Sequence, residues 1–467
     1  MRHRFRDFQN STLPLCVVAL IATALPLHAQ QPAAAPAATP VALAAQVAPA
    51  TPAPSLPLPN RLNEVMPSWL RVRGEFRERV EGFDNLGFSS TRDDVYYLSR
   101  FRFNATATTK YAVATVQLQD ARVARKTVGT TGTPFTAAFD LRQGFADVGK
   151  PTSKLAGRFG RQELAYGDQR LLGHVNWLNS GRTFDAARVS LRSKPVQVDL
   201  FAASVVRILD DEFDKSGAGN RVFGAYATTA TVLPKGTVEP YVIFRRDRNL
   251  RAESLLVGSL SQVTTGARLL GRLPAAFDYN IELALQSGSL ATDDVSAWAG
   301  HWQLRRSFAG RTVPHITGEY NYASGDRNPT DGTRGTFDQL YPTPHDKLGL
   351  ADQVSWKNIH HLRAGFDVTP FRATPITVNY HTFWLAVARD ALYTASGAPL
   401  ARVITGALNT HVGQEIDVQV TRPLTPYLAM AAGYSYLHAG AFLKEATPGQ
   451  SYSGPFVMLT YVFLADK

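Results

Sequence analysis

The sequence of 467 residues contains a single cysteine, Cys16, so a disulfide framework or a cysteine-based zinc site cannot organise the fold. It contains one long apolar run, Leu13–Leu27, which excludes a bundle of several membrane-spanning helices. A G-x-S-x-G elbow, an H-E-x-x-H pair and a Walker loop are all missing. We therefore predict no catalytic residues, no metal and no cofactor, and we predict that the protein is not an enzyme.

Lysine is also scarce: only 11 of the 49 basic residues are lysine, and the formal net charge is +11. An excess of arginine is typical of proteins that recognise carboxylate or phosphate groups, because the guanidinium group can bind them with two parallel hydrogen bonds. The basic charge therefore points to an acidic ligand or substrate.

The N-terminus has the features of an export signal. Three arginines precede the apolar run, and Ala29 offers a small residue for cleavage, which predicts a signal peptide over residues 1–29. From Gln30 to Asn60 there are eight prolines and no charged side chain, so residues 30–66 are predicted to be a flexible spacer. The exported chain would then contain no cysteine.

Apolar and polar residues alternate from about residue 68 to the end of the chain. In the first such segment Leu70, Val72 and Phe76 alternate with arginines, and a period of two indicates a strand with one apolar and one charged face. About eighteen segments follow this pattern, and the connections between them alternate between short turns and long polar loops. This arrangement predicts an all-β fold, a transmembrane antiparallel β-barrel of the bacterial outer membrane over residues 67–467, with about 18 strands and 16 as the alternative.

The first two strands indicate which face lines the lumen. An arginine at the bilayer midplane on the lipid face costs roughly 2–4 kcal/mol, so Arg71, Arg73, Arg77, Arg100 and Arg102 are expected to point inward. Such a cluster could form an anion path. Alternatively, inward carboxylates such as those of Glu75, Glu282 and Glu319 could pair with these arginines in a network that only rigidifies the barrel.

Two ordered groups of motifs resemble the alginate-export family of outer-membrane β-barrels. The first group comprises Gly160-Arg161-Gln162-Glu163-Leu164, Tyr166-Gly167-Asp168, Arg170-Leu171-Leu172, Trp177 and Gly181-Arg182-Thr183-Phe184-Asp185. The second comprises Glu319-Tyr320-Asn321, Ser324-Gly325-Asp326, Asn328-Pro329, Thr336-Phe337-Asp338-Gln339-Leu340-Tyr341-Pro342, His345, Trp356-Lys357-Asn358-Ile359 and Glu415-Ile416-Asp417. The resemblance covers about residues 68–463.

The resemblance implies an eighteen-stranded barrel whose arginine-rich lumen passes an acidic polysaccharide outward. The turns that correspond to a long periplasmic loop of the alginate exporter are short here, so the sugar is left open. The predicted pore-lining residues are Arg71, Arg73, Arg77, Arg100, Arg102, Arg158, Arg161, Arg182, Arg188, Glu319, Arg363, Glu415 and Asp417.

The longest predicted loop, Ser324–Gln353, contains both apolar residues and prolines. Ordering a free loop of about 30 residues requires compensating contacts, so we predict that it folds over or into the lumen and narrows the pore. Its predicted pore-loop residues are Asp326, Arg327, Asp338, His345 and Lys347. The alternative is an outer loop that packs on neighbouring loops and shields the barrel. Separately, Asp326, Asn328, Asp331 and Gly332 are a weak match to a calcium loop, with a solvated loop as the alternative.

Three classes of function fit these observations. The first is export of an acidic polysaccharide such as alginate or a related polyuronate, and the second is an anion-selective porin for small carboxylates or oligosaccharides. The third is an outer-membrane enzyme or a structural barrel. The expected partners are an anionic polysaccharide or carboxylate, outer-membrane lipid and periplasmic export proteins, whereas export and barrel architecture disfavour nucleic acid.

Overall fold

The computed structural model describes residues 61–150, 152–210, 212–230, 232–251 and 257–463. The predicted signal peptide and residues 30–60 of the predicted spacer lie outside these ranges. The end of the spacer forms a short helix, α1 (Leu62–Val65), and the Asn63 amide exchanges hydrogen bonds of 2.7 and 2.9 Å with the backbone of Val72. In the described part of the chain, no helix is long and apolar enough to cross a membrane.

Eighteen long strands form the wall of the structure. They are β1 (Leu70–Phe83), β2 (Asp94–Thr108), β3 (Ala112–Ala124), β4 (Ala137–Val148), β5 (Leu155–Gln162), β6 (Phe184–Ser193), β7 (Val196–Arg207), β8 (Lys215–Thr229), β9 (Gly236–Arg251), β10 (Val257–Leu273), β11 (Phe277–Leu290), β12 (Asp293–Ser307), β13 (His315–Ala323), β15 (Ile359–Phe371), β16 (Thr374–Leu385), β19 (His411–Pro423), β20 (Leu428–Ala439) and β21 (Tyr452–Phe463). Three short strands, β14 (Thr333–Arg334), β17 (Leu392–Tyr393) and β18 (Pro399–Ala401), and the helix α2 (Ala441–Ala446) lie in the loops.

The sheet closes on itself. Each long strand pairs antiparallel with the next, and β21 pairs with β1, where Tyr461 lies opposite Phe76. Closure leaves no free edge among the eighteen described strands. A sheet in a bilayer needs this closure, because no water is available there to unpaired backbone groups. The predicted antiparallel barrel of about eighteen strands is confirmed.

The two faces of the wall have opposite polarity. On β1 the side chains of Phe76 and Val80 face outward and are 42% and 45% exposed, whereas Arg77 and Arg79 face inward and are buried. An apolar outer face matches hydrocarbon, and a polar inner face matches a lumen.

The connections differ at the two ends of the barrel. One end, called the short-turn end, has turns such as 109–111 and 194–195, and both β1 begins and β21 ends there. The other end carries the three longest loops, which we name loop A (163–183), loop B (324–358) and loop C (386–410).

The hydrophobic core lies within the barrel rather than between layers. Leu164 and Leu171 of loop A and Phe337, Leu348 and Trp356 of loop B are buried in one cluster with inward-facing side chains of the wall. Long loops that fold into the lumen therefore supply much of the apolar packing.

Candidate functional site

Loops A and B pair with each other inside the barrel. Gly173 N donates to Tyr341 O at 2.8 Å, Tyr341 N donates to Leu171 O at 2.8 Å, and Thr343 N donates to Gln169 O at 2.9 Å. The first two bonds form an isolated parallel bridge between Leu172 and Tyr341, and the third joins the loops further along, so the two loops form one layer.

Arginines on β1 and β2 hold loop A. Arg77 and Arg100 each donate to the carbonyl oxygen of Asn176 at 2.9 Å, and Arg79 donates to that of Trp177 at 2.8 Å. The Arg79 guanidinium also lies 4.0 Å from the centre of the Trp177 ring, a cation–π contact. Carbonyl groups satisfy the donors but carry no charge, so the positive charge persists.

We name the group of buried arginines on the inner faces of β1, β2 and β4 the basic wall. It has more cations than paired carboxylates. Its five buried arginines are Arg77, Arg79, Arg100, Arg102 and Arg142. Arg79 pairs with Glu81 at 2.7 Å, Arg100 with Glu75 at 2.6 Å, and Arg142 with Glu163 of loop A. Among the described residues no carboxylate pairs directly with Arg77 or Arg102, and Arg102 Nη2 lacks a hydrogen-bond partner. Two guanidinium charges are therefore uncompensated by ion pairs.

Loop A passes against these guanidinium groups at Gly181. Its φ is +73°, and a Cβ there would lie 2.9 Å from Arg142 Nη2 and 3.1 Å from Arg102 Nη2. Glycine is needed both for the left-handed backbone and for the close approach.

The inner face of β12–β15 carries a buried carboxylate with several donors. Arg170 of loop A lies 3.0 Å from Glu319, and Arg363 contacts the other carboxylate oxygen. Gln303 and Asn321 donate to the same carboxylate at 3.0 and 2.8 Å. Burial of this charge is compensated because every neighbour is a donor.

A chain of buried polar groups continues along the wall from Asn321. Its Nδ2 lies 2.8 Å from His361 Nδ1, His361 Nε2 lies 2.9 Å from His381 Nδ1, and His381 Nε2 lies 3.2 Å from Asp417 Oδ2. The contacts link β13, β15, β16 and β19. We name the inner face of these strands the acidic wall.

Loop B lies on the carboxylates of the acidic wall. Ala351 N donates to Glu415 at 2.8 Å, and Leu350 N donates to Asp417 at 3.0 Å. The approach is close because Gly349, with φ +98°, has no side chain to strike the Glu415 carboxylate. Glu415 and Asp417 therefore accept backbone donors of loop B.

Asp338 fixes the middle of loop B to the wall. Its carboxylate lies 2.6 Å from Arg245 on β9, and its backbone exchanges hydrogen bonds of 2.7 and 2.8 Å with the Gln286 side chain. Burial favours a higher pKa for Asp338, but Arg245, Arg334 and Lys357 together outweigh burial and lower the pKa to about 2. This anchor is therefore ionised at neutral pH.

The remaining predicted pore-loop residues have mixed positions. His345 stacks on Trp177 with ring centres 3.8 Å apart, and Lys347 pairs with Asp168 of loop A at 3.4 Å, so both join the two loops. Asp326 is buried, and Arg327 is exposed. In the segment predicted as a weak calcium match, the Asp326 and Asp331 carboxylates accept backbone donors of the loop itself.

The predicted pore-lining arginines outside the basic wall are dispersed. Arg71 donates to the Pro67 and Leu70 carbonyls near the short-turn end, and Arg73 is exposed one step further along β1. Arg158 pairs with Asp147 at 2.6 Å on the inner face. Three more sit on β6, at the end of loop A and on β15: Arg188 lies opposite Arg158, Arg182 donates to the Pro342 carbonyl at 2.7 Å, and Arg363 contacts Glu319.

The structure corrects the placement of two kinds of residue. Arg161 lies on the outer face with Phe159, opposite Asp185, whose carboxylate it binds at 2.8 Å, so it does not line the lumen. Glu319, Glu415 and Asp417 do face inward, but loops A and B cover them, and a permeant molecule would meet the loops first.

Sequence reasoning missed Arg142, which is central to the basic wall. The register between β3 and β4 shifts at Gln117/Leu118, and this irregularity brings both Arg142 and Gln143 beside Gln117. An alternation counted back from the end of β4 places Arg142 on the outside. The partners of His361 and Arg170 were also missed, since they come from distant strands.

Comparison with known proteins agrees with this architecture. The sequence matches the alginate export family over residues 68–454. It has no significant match among curated proteins.

Solved structures similar to the chain are outer-membrane barrels. The outer membrane protein opdK from Pseudomonas aeruginosa has a TM-score of 0.56 at 11% identity, over 84% of this chain and 98% of that chain. A BenF-like porin from Pseudomonas fluorescens has a TM-score of 0.56 at 10% identity, over 85% of this chain and 99% of that chain. OccK8 (OprE) of Pseudomonas aeruginosa has a TM-score of 0.55 at 11% identity, over 84% and 98%. At such low identity the likeness concerns the fold.

Proposed function

Because the chain belongs to the alginate export family and forms an outer-membrane pore, we propose that it exports an acidic polysaccharide such as a polyuronate along the basic wall. The family and the fold are those of transport porins rather than of enzymes. The substrate is inferred from the chemistry of the lumen.

The observation that carries the proposal is the excess of arginine on the basic wall. Arg77 and Arg102 have no carboxylate partner among the described residues, and Arg102 retains a buried N–H without a hydrogen-bond partner. Loop A covers these guanidinium groups, so their field, rather than direct contact, would attract the carboxylate on each sugar ring along the wall. A charged polymer could therefore move past the wall without a large desolvation barrier.

Planar-bilayer recordings test the proposal. In a salt gradient the pore should prefer anions, and an oligouronate should reduce the current. Arg102→Gln should weaken this block severalfold, because it removes one uncompensated positive charge from the field that attracts the anion. Arg161→Gln is the matched control, because it removes an arginine from the outer face and should leave the block unchanged.

A cation-selective wild-type pore would contradict the proposal. So would an equal effect of the Arg102 and Arg161 substitutions, since only one of the two side chains faces the lumen.

A second candidate function is uptake of small carboxylates. It is supported by the paired loops A and B, which occupy part of the lumen and leave less room for a polymer. Recording the block with a uronic acid monomer and with a long oligouronate separates the two functions. Block by the monomer alone supports the porin, and much stronger block by the oligomer supports the exporter.

A further inference from the structure

The outer face of the barrel has a groove of about 780 Å³ over strands β11–β15. Its lining includes Leu273, Tyr279, Trp302, Leu304, Gly318 and Leu362. Gly318 lies between Leu304 on β12 and Ala364 on β15, and a Cβ at Gly318 would meet no atom within 4 Å. The groove therefore exists because two adjacent outward positions have little or no side chain.

The groove opens toward the hydrocarbon of the membrane. The flanking side chains of Leu304 and Leu362 are nearly half exposed, and the side chains of Gln303, Glu319 and Arg363 point to the opposite face. An apolar depression of this kind loses dispersion contacts unless an apolar chain fills it.

An arginine lies at one end of the groove. Arg306 is on the same face as Leu304, two residues nearer the short-turn end, and is exposed. Its guanidinium lies 5.2 Å from the centre of the Phe277 ring and 4.9 Å from that of Phe308. The two rings orient the charge, and in the described part of the chain no carboxylate pairs with it.

We propose that this groove and Arg306 bind an anionic phospholipid of the leaflet at the short-turn end. One acyl chain occupies the groove beside Gly318, and the headgroup phosphate binds Arg306, with exposed Arg311 in the adjoining turn at the headgroup level. A guanidinium group binds phosphate through charge-assisted hydrogen bonds, and basic sites at the membrane surface select anionic headgroups. This inference is independent of what passes through the lumen.

Native mass spectrometry of the full chain tests the proposal. The purified barrel is titrated in detergent with phosphatidylglycerol and, separately, with phosphatidylcholine, and the bound fraction is measured. Wild-type protein should retain phosphatidylglycerol preferentially. Inorganic phosphate in excess should not displace it, because the acyl chain supplies the apolar contact.

Two substitutions address the two halves of the site. Gly318→Leu fills the groove, meets no atom at Cβ, and should weaken binding of both lipids about tenfold, as expected for two lost methylene contacts. Arg306→Gln should weaken phosphatidylglycerol about fivefold, as expected for one basic residue near the surface, and should abolish the preference between headgroups.

Ala225→Leu is the matched control. Ala225 lies in a second outward groove with Leu200 and Phe244, on strands β7–β9. It should leave phosphatidylglycerol binding unchanged. The proposal is overturned if Gly318→Leu, folded by gel mobility, binds phosphatidylglycerol as wild type does, or if the control weakens binding equally.

Discussion

On the basic wall, arginine side chains reach inward and donate to carbonyl oxygens of loop A, whereas on the acidic wall Glu415 and Asp417 accept backbone N–H groups of loop B. Loop A therefore presents backbone carbonyl groups to the basic wall, and loop B presents backbone N–H groups to the acidic wall. Whether a wall carries donors or acceptors determines which backbone group the loop presents to it.

The same comparison explains why the lumen stays polarised. Carbonyl and N–H groups satisfy hydrogen-bonding capacity but do not cancel a full charge. The field from the arginines of the basic wall therefore persists across the loop layer. An anion in the lumen would be drawn toward β1, β2 and β4.

The largest effect is expected from breaking the basic wall. Arg77→Ala combined with Arg100→Ala removes two charged donors to loop A, together worth about 3–6 kcal/mol at about 1.5–3 kcal/mol each. We expect loop A to leave the wall, so that single-channel conductance rises and the anion preference falls. Arg158→Ala is the control, because this inner arginine pairs with Asp147 and does not hold loop A. Unchanged conductance in a folded double variant would refute the anchoring role.

An intermediate effect is expected from protonating Asp338, which anchors loop B. The pKa of Asp338 is about 2 against an ordinary 3.8, because Arg245 and the neighbouring cations together outweigh burial. The carboxylate therefore stabilises the seated loop above the ordinary pKa, and this contribution is lost as pH falls toward about 2. Conductance should be constant from neutral pH to near 4 and should change below it.

Asp338→Asn should show at neutral pH the conductance that the wild type shows only at acid pH. Asp331→Asn, in the exposed part of the same loop, is the control and should follow the wild-type profile. A pH profile of Asp338→Asn that overlies that of wild type would show that this pair does not hold the loop.

The smallest effect is expected at Gly181. Gly181→Ala places a side chain in a left-handed backbone, which costs about 1–2 kcal/mol, and also pushes against Arg142 and Arg102. Gly332→Ala has a similar φ of +79° but meets no atom within 4 Å, so it isolates the backbone cost. Gly181→Ala should lower the temperature of the gel-mobility shift more than Gly332→Ala. Equal shifts would mean that the guanidinium groups move aside freely.

The architecture was largely predictable because a period of two is a local signal. Leu70–Phe76 alone identifies the first strand, and the penalty for arginine in lipid correctly turns Arg77, Arg100 and Arg102 inward. The family, the barrel and the outer-membrane location are confirmed by the comparisons.

Contacts of the loops could not be predicted in the same way. The carbonyls that bind Arg77 lie about a hundred residues away, and no local pattern encodes such a pairing. The contact between His361 and His381 also depends on the register of β15 with β16. The register shift on β4 likewise hides Arg142, because a single extra residue reverses the alternation.

The seam between β1 and β21 has a consequence for assembly. It joins segments from nearly opposite ends of the chain, with Gly74 opposite Phe463, so its formation depends on the least local contact of the barrel. The arginines that hold loop A sit on β1 and β2, beside this seam. We therefore expect the basic wall to form last, when β21 pairs with β1 and loop A packs against the arginines. Chains truncated before β21 should remain open sheets.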